Sequence, residues 1–266
     1  LGETVLTLPA IEALRQKYKK NSIDVLVTKR NKEVYFDNKD VNNARVLSLN
    51  PVSIILFMLG NFKKYDLVID MEEYLNVSSA IAFFVGKRRI GFSHGVRSKL
   101  YTDKVYYNDK QHVVYTFLDL LRPLNIKKNV EKLSNLNYSA DDKKNVDSLL
   151  KKFSIGKKDF LVGFGIGAAE SAKSRMWPKE RFAKVADYLI KKYKAKIILI
   201  GNNEERKFIN ELQNSMENKN NSFSVAGLIN TREMFCLISL CKLFVGNDSG
   251  PMHVAAAQGV KTIGLF

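Results

Sequence analysis

Nine short apolar runs punctuate the chain, at 23–27, 45–49, 65–70, 89–92, 160–164, 196–200, 223–225, 243–245 and 262–266. Runs of this length, rich in Val, Ile, Leu and Phe, read as strands, those at 23–27 and 243–245 as buried ones. Between them apolar residues recur at helical spacing, which predicts helices at 2–15, 52–62, 76–85, 112–121, 140–153, 178–193, 204–217, 231–240 and 252–258. A further helical piece begins at 33–36. Val5, Leu6, Ile11 and Leu14 give the first helix its apolar face. Pro123 stops the helix ending at 121, and Thr231 is the expected cap of 231–240, with Glu233 in its first turn. Strands alternating with helices predict βαβ units and parallel sheets.

The alternation falters after 92 and resumes at 160. Ser154 to Asp159 is the best linker, dividing the chain into domains 1–153 and 154–266. The expected fold is therefore α/β, with two Rossmann-like parallel-sheet domains facing across a cleft. Ligands of open α/β sheets bind at the carboxyl ends of strands. Gly2-Glu3, Gly165 to Arg175, Gly201 to Glu204, Gly227-Leu228 and Asn247 to His253 all fall at such ends.

The last of these carries the most chemistry. A strand ends at Val245, Gly246 and Asn247 break it, and Asp248 and Ser249 can cap the helix that follows, with Pro251 in its first turn. Free backbone N–H groups at such a helix start form an anion site, to which Asp248 adds an acceptor and His253 a titratable group. An ordinary capped βα turn would look the same in isolation, so the remaining loops decide the matter. Lys173 and Arg175 follow a glycine-lined turn at Gly163 to Gly167, a combination that suits a diphosphate. Glu3 stands at a strand-to-helix turn, where a carboxylate can serve as a general base.

Composition narrows the classes. With 266 residues and 45% hydrophobic content, two domains with real cores are expected. No run of 18 apolar residues occurs, so no membrane-spanning helix is expected; Ile54 to Leu59 is the most membrane-like patch. Leu1 is not Met, Gly2-Glu3 reads as a turn lacking its preceding strand, and the chain stops within a strand, as a fragment truncated at both ends would. Net charge is +16, with 24 basic and 17 acidic residues over 1–150 and 19 and 10 over 151–266. The excess is spread over both halves and fits an anionic ligand or an anionic membrane surface. No nucleic-acid recognition module appears, so nucleic acid is not an expected partner. Cys236 and Cys241 sit in an apolar helical pattern and read as core thiols.

Several chemistries are excluded by pattern. Gly163, Gly165 and Ala168 match Gly-x-Gly-x-x-Ala, but no helix opens at the turn and no acid closes the second strand, so a dinucleotide reading fails. There is no His-x-x-x-His, Cys-x-x-Cys or Asp-x-Asp, hence no expected metal, and no Walker lysine or Gly-x-Ser-x-Gly elbow. His94 and His112 stand alone and read as surface or satisfied residues. Trp177-Pro178 reads as packing and a helix start.

On residues 2–15, Arg89-Ile-Gly-Phe92, the segment 165–178 ending Arg-Met-Trp-Pro, Gly201 with the acids after it, and Asn247-Asp-Ser-Gly-Pro-Met-His253, the sequence resembles glycosyltransferase family 9, the lipopolysaccharide heptosyltransferases. The resemblance covers essentially the whole chain and implies a GT-B fold, with an acceptor-side domain followed by an incomplete nucleotide-sugar domain. It implies an inverting, metal-independent transfer of a sugar from a nucleotide donor, ADP-heptose in this family, to a lipid A/core-oligosaccharide-type or other glycan acceptor, with no cofactor besides the donor. In this light Glu3 takes the position of the family's catalytic acid, usually Asp, and Arg175 that of its cation before Trp-Pro. Asp248, Ser249, Gly250 and His253 match donor diphosphate and sugar contacts, Glu204 loosely matches the ribose acid, and Leu228 the adenine contact; Gly167 and Lys173 of the glycine-lined loop join them as donor-binding candidates. Cytoplasmic location, with peripheral contact to an anionic inner membrane, goes with it. A family 9 transferase using a hexose donor, a GT-B-like epimerase and a non-catalytic nucleotide-sugar binding protein are the competing readings. The epimerase would need a second acid/base set that the sequence lacks.

Overall fold

The computed structural model describes residues 1–167 and 176–266. They form two compact units: Leu6–Glu131, and Leu1–Val5 together with Lys132–Phe266.

The Leu6–Glu131 unit contains most of α1 (Gly2–Lys17), and then two parallel sheets. β1 (Asp24–Val27) pairs with β2 (Asn43–Val46), and β3 (Tyr65–Ile69), β4 (Gly86–Phe92) and β5 (Asp103–Val105) form the second sheet in that order. α2 (Pro51–Gly60) starts where Asn50 Oδ1 accepts the Ser53 N–H at 2.8 Å and Pro51 supplies a pre-set first turn. α3 (Asn76–Val85) returns the chain from β3 to β4. The helical piece near 33 is one 3₁₀ turn, Lys32–Tyr35, and Pro123 sits in another, Arg122–Leu124, after α4 (Val113–Asp119). His112 caps α4, its Nδ1 accepting the Val114 N–H at 3.3 Å, and His94 Nε2 lies 2.6 Å from the Glu73 carbonyl. Both histidines therefore have local structural roles. At the end of β3 the buried Asp70 carboxylate accepts from Arg97 Nη2 at 3.0 Å and Tyr101 Oη at 2.6 Å, which offsets the cost of burying that charge.

The larger unit is built on one five-stranded parallel sheet, ordered β10-β9-β6-β7-β8. Its strands are β6 (Leu161–Gly165), β7 (Lys196–Ile200), β8 (Ser222–Ser224), β9 (Leu243–Asn247) and β10 (Lys261–Leu265). α5 (Ala140–Lys152), α6 (Lys179–Tyr193), α7 (Arg206–Asn214), α8 (Thr231–Ser239) and α9 (Gly250–Ala257) complete it. The core joins Phe164, Ile197, Leu199 and Val245 from the sheet to Phe182, Ala186, Ile209 and Leu212 from the helices.

Three local expectations are corrected. Ser154 to Asp159 does not separate the two units, because α5 belongs with α8: Arg232 Nε bonds Asp142 Oδ2 at 2.8 Å, and Asn145 Nδ2 donates to Glu233 Oε1 at 2.7 Å. The cap of α8 is Asn230, not Thr231, since Asn230 Oδ1 accepts the Arg232 and Glu233 N–H groups while Glu233 Oε2 accepts the Asn230 N–H. β5 was not foreseen. Cys236 and Cys241 are free and buried, and burial pushes their thiols up to about 11 and about 12. Among the described residues no helix is long and apolar enough to cross a membrane.

Candidate functional site

Parallel strands put all their carboxyl ends on one edge. In the larger unit this edge carries Ile166 and Gly167 after β6, Gly201 and Asn202 after β7, Gly227 and Leu228 after β8, and Asp248 and Ser249 after β9. These are the loops picked out by the sequence. Lys173 and Arg175 lie outside the described residues.

The flanks of the 168–175 segment are pinned by one side chain. Asn247, 2% exposed at the end of β9, accepts the Trp177 N–H at 3.0 Å and donates through Nδ2 to the Ile166 carbonyl at 2.7 Å. The Trp177 indole packs edge-on against Phe182 with ring centroids 5.1 Å apart, which fixes the start of α6. Asn247 was read from the sequence only as a strand breaker. Its buried amide, with a donor and an acceptor pointing to two different loops, is what sequence could not supply.

After β7, Asn202 and Glu205 close a reciprocal pair. Glu205 Oε2 accepts the Asn202 N–H at 2.8 Å, and Asn202 Oδ1 accepts the Glu205 N–H at 2.9 Å. The same carboxylate leans over Gly167, where an added Cβ would fall 1.7 Å from Oε1. Glu204, the acid expected here, is exposed, and its neighbour Glu205 is the one that joins the β6 and β7 loops. The loop after β8 turns at Gly227, whose φ of +68° favours glycine, and its N–H donates to the Gly201 carbonyl. That turn leaves Leu228 more than half exposed at the rim, an apolar surface open to a flat ring.

α9 begins at Gly250, with Ser249 in extended backbone as its N-cap. The Ser249 hydroxyl makes no capping bond, and its oxygen is buried without a hydrogen-bond partner among the described residues. A buried hydroxyl normally finds a partner, so this one is available to a bound group. Asp248 donates its N–H to the Leu265 carbonyl, and its Oδ1 lies 3.3 Å from His253 Nε2, one turn into α9. The His253 ring in turn covers Gly2: a Cβ there would sit 2.5 Å from His253 Cδ2. Gly250 similarly faces Leu1. The first turn of α1, with the exposed Glu3, thus stands beside the start of α9 within the same unit. Chemically, the edge assembles helix-start N–H groups and a spare hydroxyl for an anion, acids for sugar hydroxyls, an apolar rim, and a carboxylate that can take a proton. Among the described residues no group of three or more His, Cys, Asp or Glu side chains is placed to hold a metal ion. A depression of about 400 Å³ lined by Lys191, Lys194 and Lys196 lies at the other edge of the sheet and shares no residue with this site.

The sequence model of glycosyltransferase family 9 (heptosyltransferase) matches residues 60–266. Lipopolysaccharide heptosyltransferase 3 of Escherichia coli K12 is 26% identical over 281 residues, an alignment that spans 100% of this chain and 79% of that protein. A glycosyl transferase family 9 structure from Veillonella parvula superposes with a TM-score of 0.87 at 23% identity, covering 99% of this chain and 76% of the other. An E. coli heptosyltransferase solved with ADP-2-deoxy-2-fluoro heptose gives a TM-score of 0.74 at 18% identity, covering 99% and 84%.

Proposed function

The chain belongs to glycosyltransferase family 9, and from that premise we propose that it moves a heptose from ADP-heptose to a lipid-linked core-oligosaccharide acceptor, inverting the anomeric centre. The observation that carries this reading is the convergence, on one sheet edge, of the Gly167 loop, the Asn202–Glu205 pair, Leu228 and the start of α9 beside Glu3. The 26% identity to a lipopolysaccharide heptosyltransferase supports the acceptor class, and the nucleotide sugar held by the structural neighbour supports ADP as the nucleotide.

In this mechanism Glu3 takes the proton from an acceptor hydroxyl. The resulting oxygen attacks the anomeric carbon from the face opposite the diphosphate, and the bond from that carbon to the diphosphate oxygen breaks. The negative charge that develops on the leaving nucleoside diphosphate needs preorganised cations and donors. Lys173 and Arg175, the N–H groups of the Ser249–Gly250 turn and the Ser249 hydroxyl supply them, without a metal. Glu205, rather than Glu204, accepts from the ribose hydroxyls, and Leu228 packs on adenine. Asp248 and His253 steady the sugar side of the diphosphate. The reaction is assigned to the cytoplasmic face of the inner membrane.

Calorimetric titration of ADP, UDP and GDP, without added metal, tests the donor. Selective ADP binding, weakened by Asp248→Ala, is the expected result; preference for UDP or GDP would overturn the ADP-heptose assignment. Glu3→Ala is expected to keep ADP binding and to lose turnover with ADP-heptose by ~100-fold or more. Unchanged turnover would remove Glu3 from the mechanism.

A further inference from the structure

Three neighbouring strands of the Leu6–Glu131 unit, β3, β4 and β5, end side by side, and a cluster of rings stands at their carboxyl ends. The loop after β3 brings Glu73 and Tyr74, the end of β4 brings Phe92 and His94, and the loop after β5 brings Tyr107. Phe92 is fully buried, with Tyr107 edge-on to it at 5.1 Å between centroids and His94 stacked on it at 6.1 Å. Tyr74 completes the cluster, 6.3 Å from Tyr107 and 6.4 Å from His94, yet is 71% exposed. Its loop is braced by its own acids. Asp70 Oδ1 accepts the Glu72 N–H at 3.1 Å, and Glu72 Oε1 accepts the N–H groups of Tyr74 and Leu75 at 3.0 and 3.2 Å. A large ring held in water by a braced loop has little ordering entropy left to lose when something binds it.

The hydrogen bonds assign the polar roles. Tyr107 Oη donates to Glu73 Oε2 at 2.9 Å, so the hydrogen between the two phenols, 3.2 Å apart, belongs to Tyr74, whose oxygen keeps its lone pairs for a further donor. Burial, with Tyr74 and Glu73 beside it, raises the Tyr107 pKa, so this hydroxyl stays a donor. His94 Nε2, 2.6 Å from the Glu73 carbonyl, carries a hydrogen, which leaves Nδ1 an acceptor, and Nδ1 has no hydrogen-bond partner among the described residues. An exposed aromatic face beside such acceptors complements a sugar ring, which presents C–H groups on its faces and hydroxyl donors at its rim. Arg97, which bonds Asp70 just after β3, is 2% exposed and also donates to Ser78 and Tyr101, so its charge is neutralised there. The cluster itself offers hydroxyls, an imidazole and a carboxyl, a set that suits an uncharged sugar better than a phosphorylated one.

We propose that the Tyr74 ring, backed by Tyr107 and His94, is the platform on which an uncharged sugar ring of the glycan acceptor stacks. The identity of the glycan rests on the transferase reading, and the test below separates the two.

The test is initial-rate kinetics with ADP-heptose and a deacylated, heptose-containing core oligosaccharide, with and without its phosphate groups. Calorimetric titration of the same oligosaccharides without donor accompanies it. Tyr74→Ala should raise the acceptor KM and weaken oligosaccharide binding ~10-fold, the loss falling on KM rather than on kcat or ADP affinity. Tyr74→Trp should restore binding, and Tyr74→Phe, which loses only the oxygen, should cost about threefold. Removing phosphate from the oligosaccharide should leave the Tyr74→Ala effect the same size. The position is exposed, and an unchanged melting temperature will show that the variants fold. If the wild type binds the oligosaccharide through Tyr74 but transfers nothing to it, the platform stands and the transferase reading falls. Transfer whose acceptor KM is unchanged in Tyr74→Ala overturns the platform and leaves the transferase reading intact. The platform is also overturned by a wild type that binds neither oligosaccharide, by a Trp variant no better than Ala, or by an Ala effect that vanishes with the phosphate.

Discussion

Asn247 offers a sharp test of how the donor-side loops are held. Its buried amide makes two bonds to two loops, 3.0 Å from the Trp177 N–H and 2.7 Å to the Ile166 carbonyl. Asn247→Ala removes both and leaves a buried donor and a buried acceptor unpaired. Each unpaired group costs about 1–3 kcal/mol, less whatever a water entering the vacated space restores. A loss of about 2–4 kcal/mol follows, readable in urea unfolding at pH 7. Asn247→Asp separates the two bonds. An aspartate still accepts from Trp177, but its other oxygen then faces the Ile166 carbonyl with no hydrogen between them. Protonation restores that bond, so the folded-state pKa of the new carboxyl lies above its unfolded value of about 3.9. The native state then binds more protons than the unfolded one, and stability falls as pH rises. The Asp variant should therefore be close to the wild type below about pH 4 and lose stability as pH climbs through the raised pKa. Two results would refute the reasoning: an Ala variant within about 0.5 kcal/mol of wild type, or an Asp variant whose deficit does not change with pH.

Three other outcomes are expected. Ser249→Ala should leave the unfolding free energy within about 0.5 kcal/mol, since the hydroxyl has no hydrogen-bond partner among the described residues, yet weaken ADP binding several-fold by titration calorimetry. Gly167→Ala forces Glu205 away from the loop, and ADP affinity should fall ~10-fold, at least one lost charge-assisted bond, with the Asn202 N–H unmatched. At Asp142 burial alone would raise the carboxyl pKa, but hydrogen bonds from Arg232, Ser139 and Asn230 outweigh it and hold the group well below the usual range. Stability from that lowered pKa is present above about pH 4 and is lost as pH falls through the folded value, so Arg232→Ala should cost about 2–3 kcal/mol at pH 7 and much less in acid, by urea melts at both pH values.

The centre of the larger unit's sheet was legible because β6, β7 and β9 are buried on both faces. Ile197 to Ile200 cannot be anything but an interior run, and Asn76–Val85 was readable as a helix to the residue. What escaped was decided by contacts between distant segments. β5 is three residues of mixed polarity, Asp-Lys-Val, and exists only because β4 offers it an edge. The Lys-rich α5 looks like the end of one domain, yet a salt bridge and a side-chain hydrogen bond to α8 claim it for the other unit. Within the site, Glu204 and Glu205 are indistinguishable as letters; only helix phase decides which carboxylate reaches back over Gly167.

The packing of Gly2 beneath His253 makes an absent atom a structural part. The ring occupies the volume that any side chain at position 2 would need, so α1 can begin next to α9 only while that position carries hydrogen alone. Every missense change of a glycine codon adds a side chain there. The chain thus has no neutral neighbour in sequence space at this position: each substitution must either swing the imidazole off Asp248 or tilt the first turn of α1, which carries Glu3, and variation recorded across its descendants should skip residue 2 while passing freely over the exposed positions of the same helix.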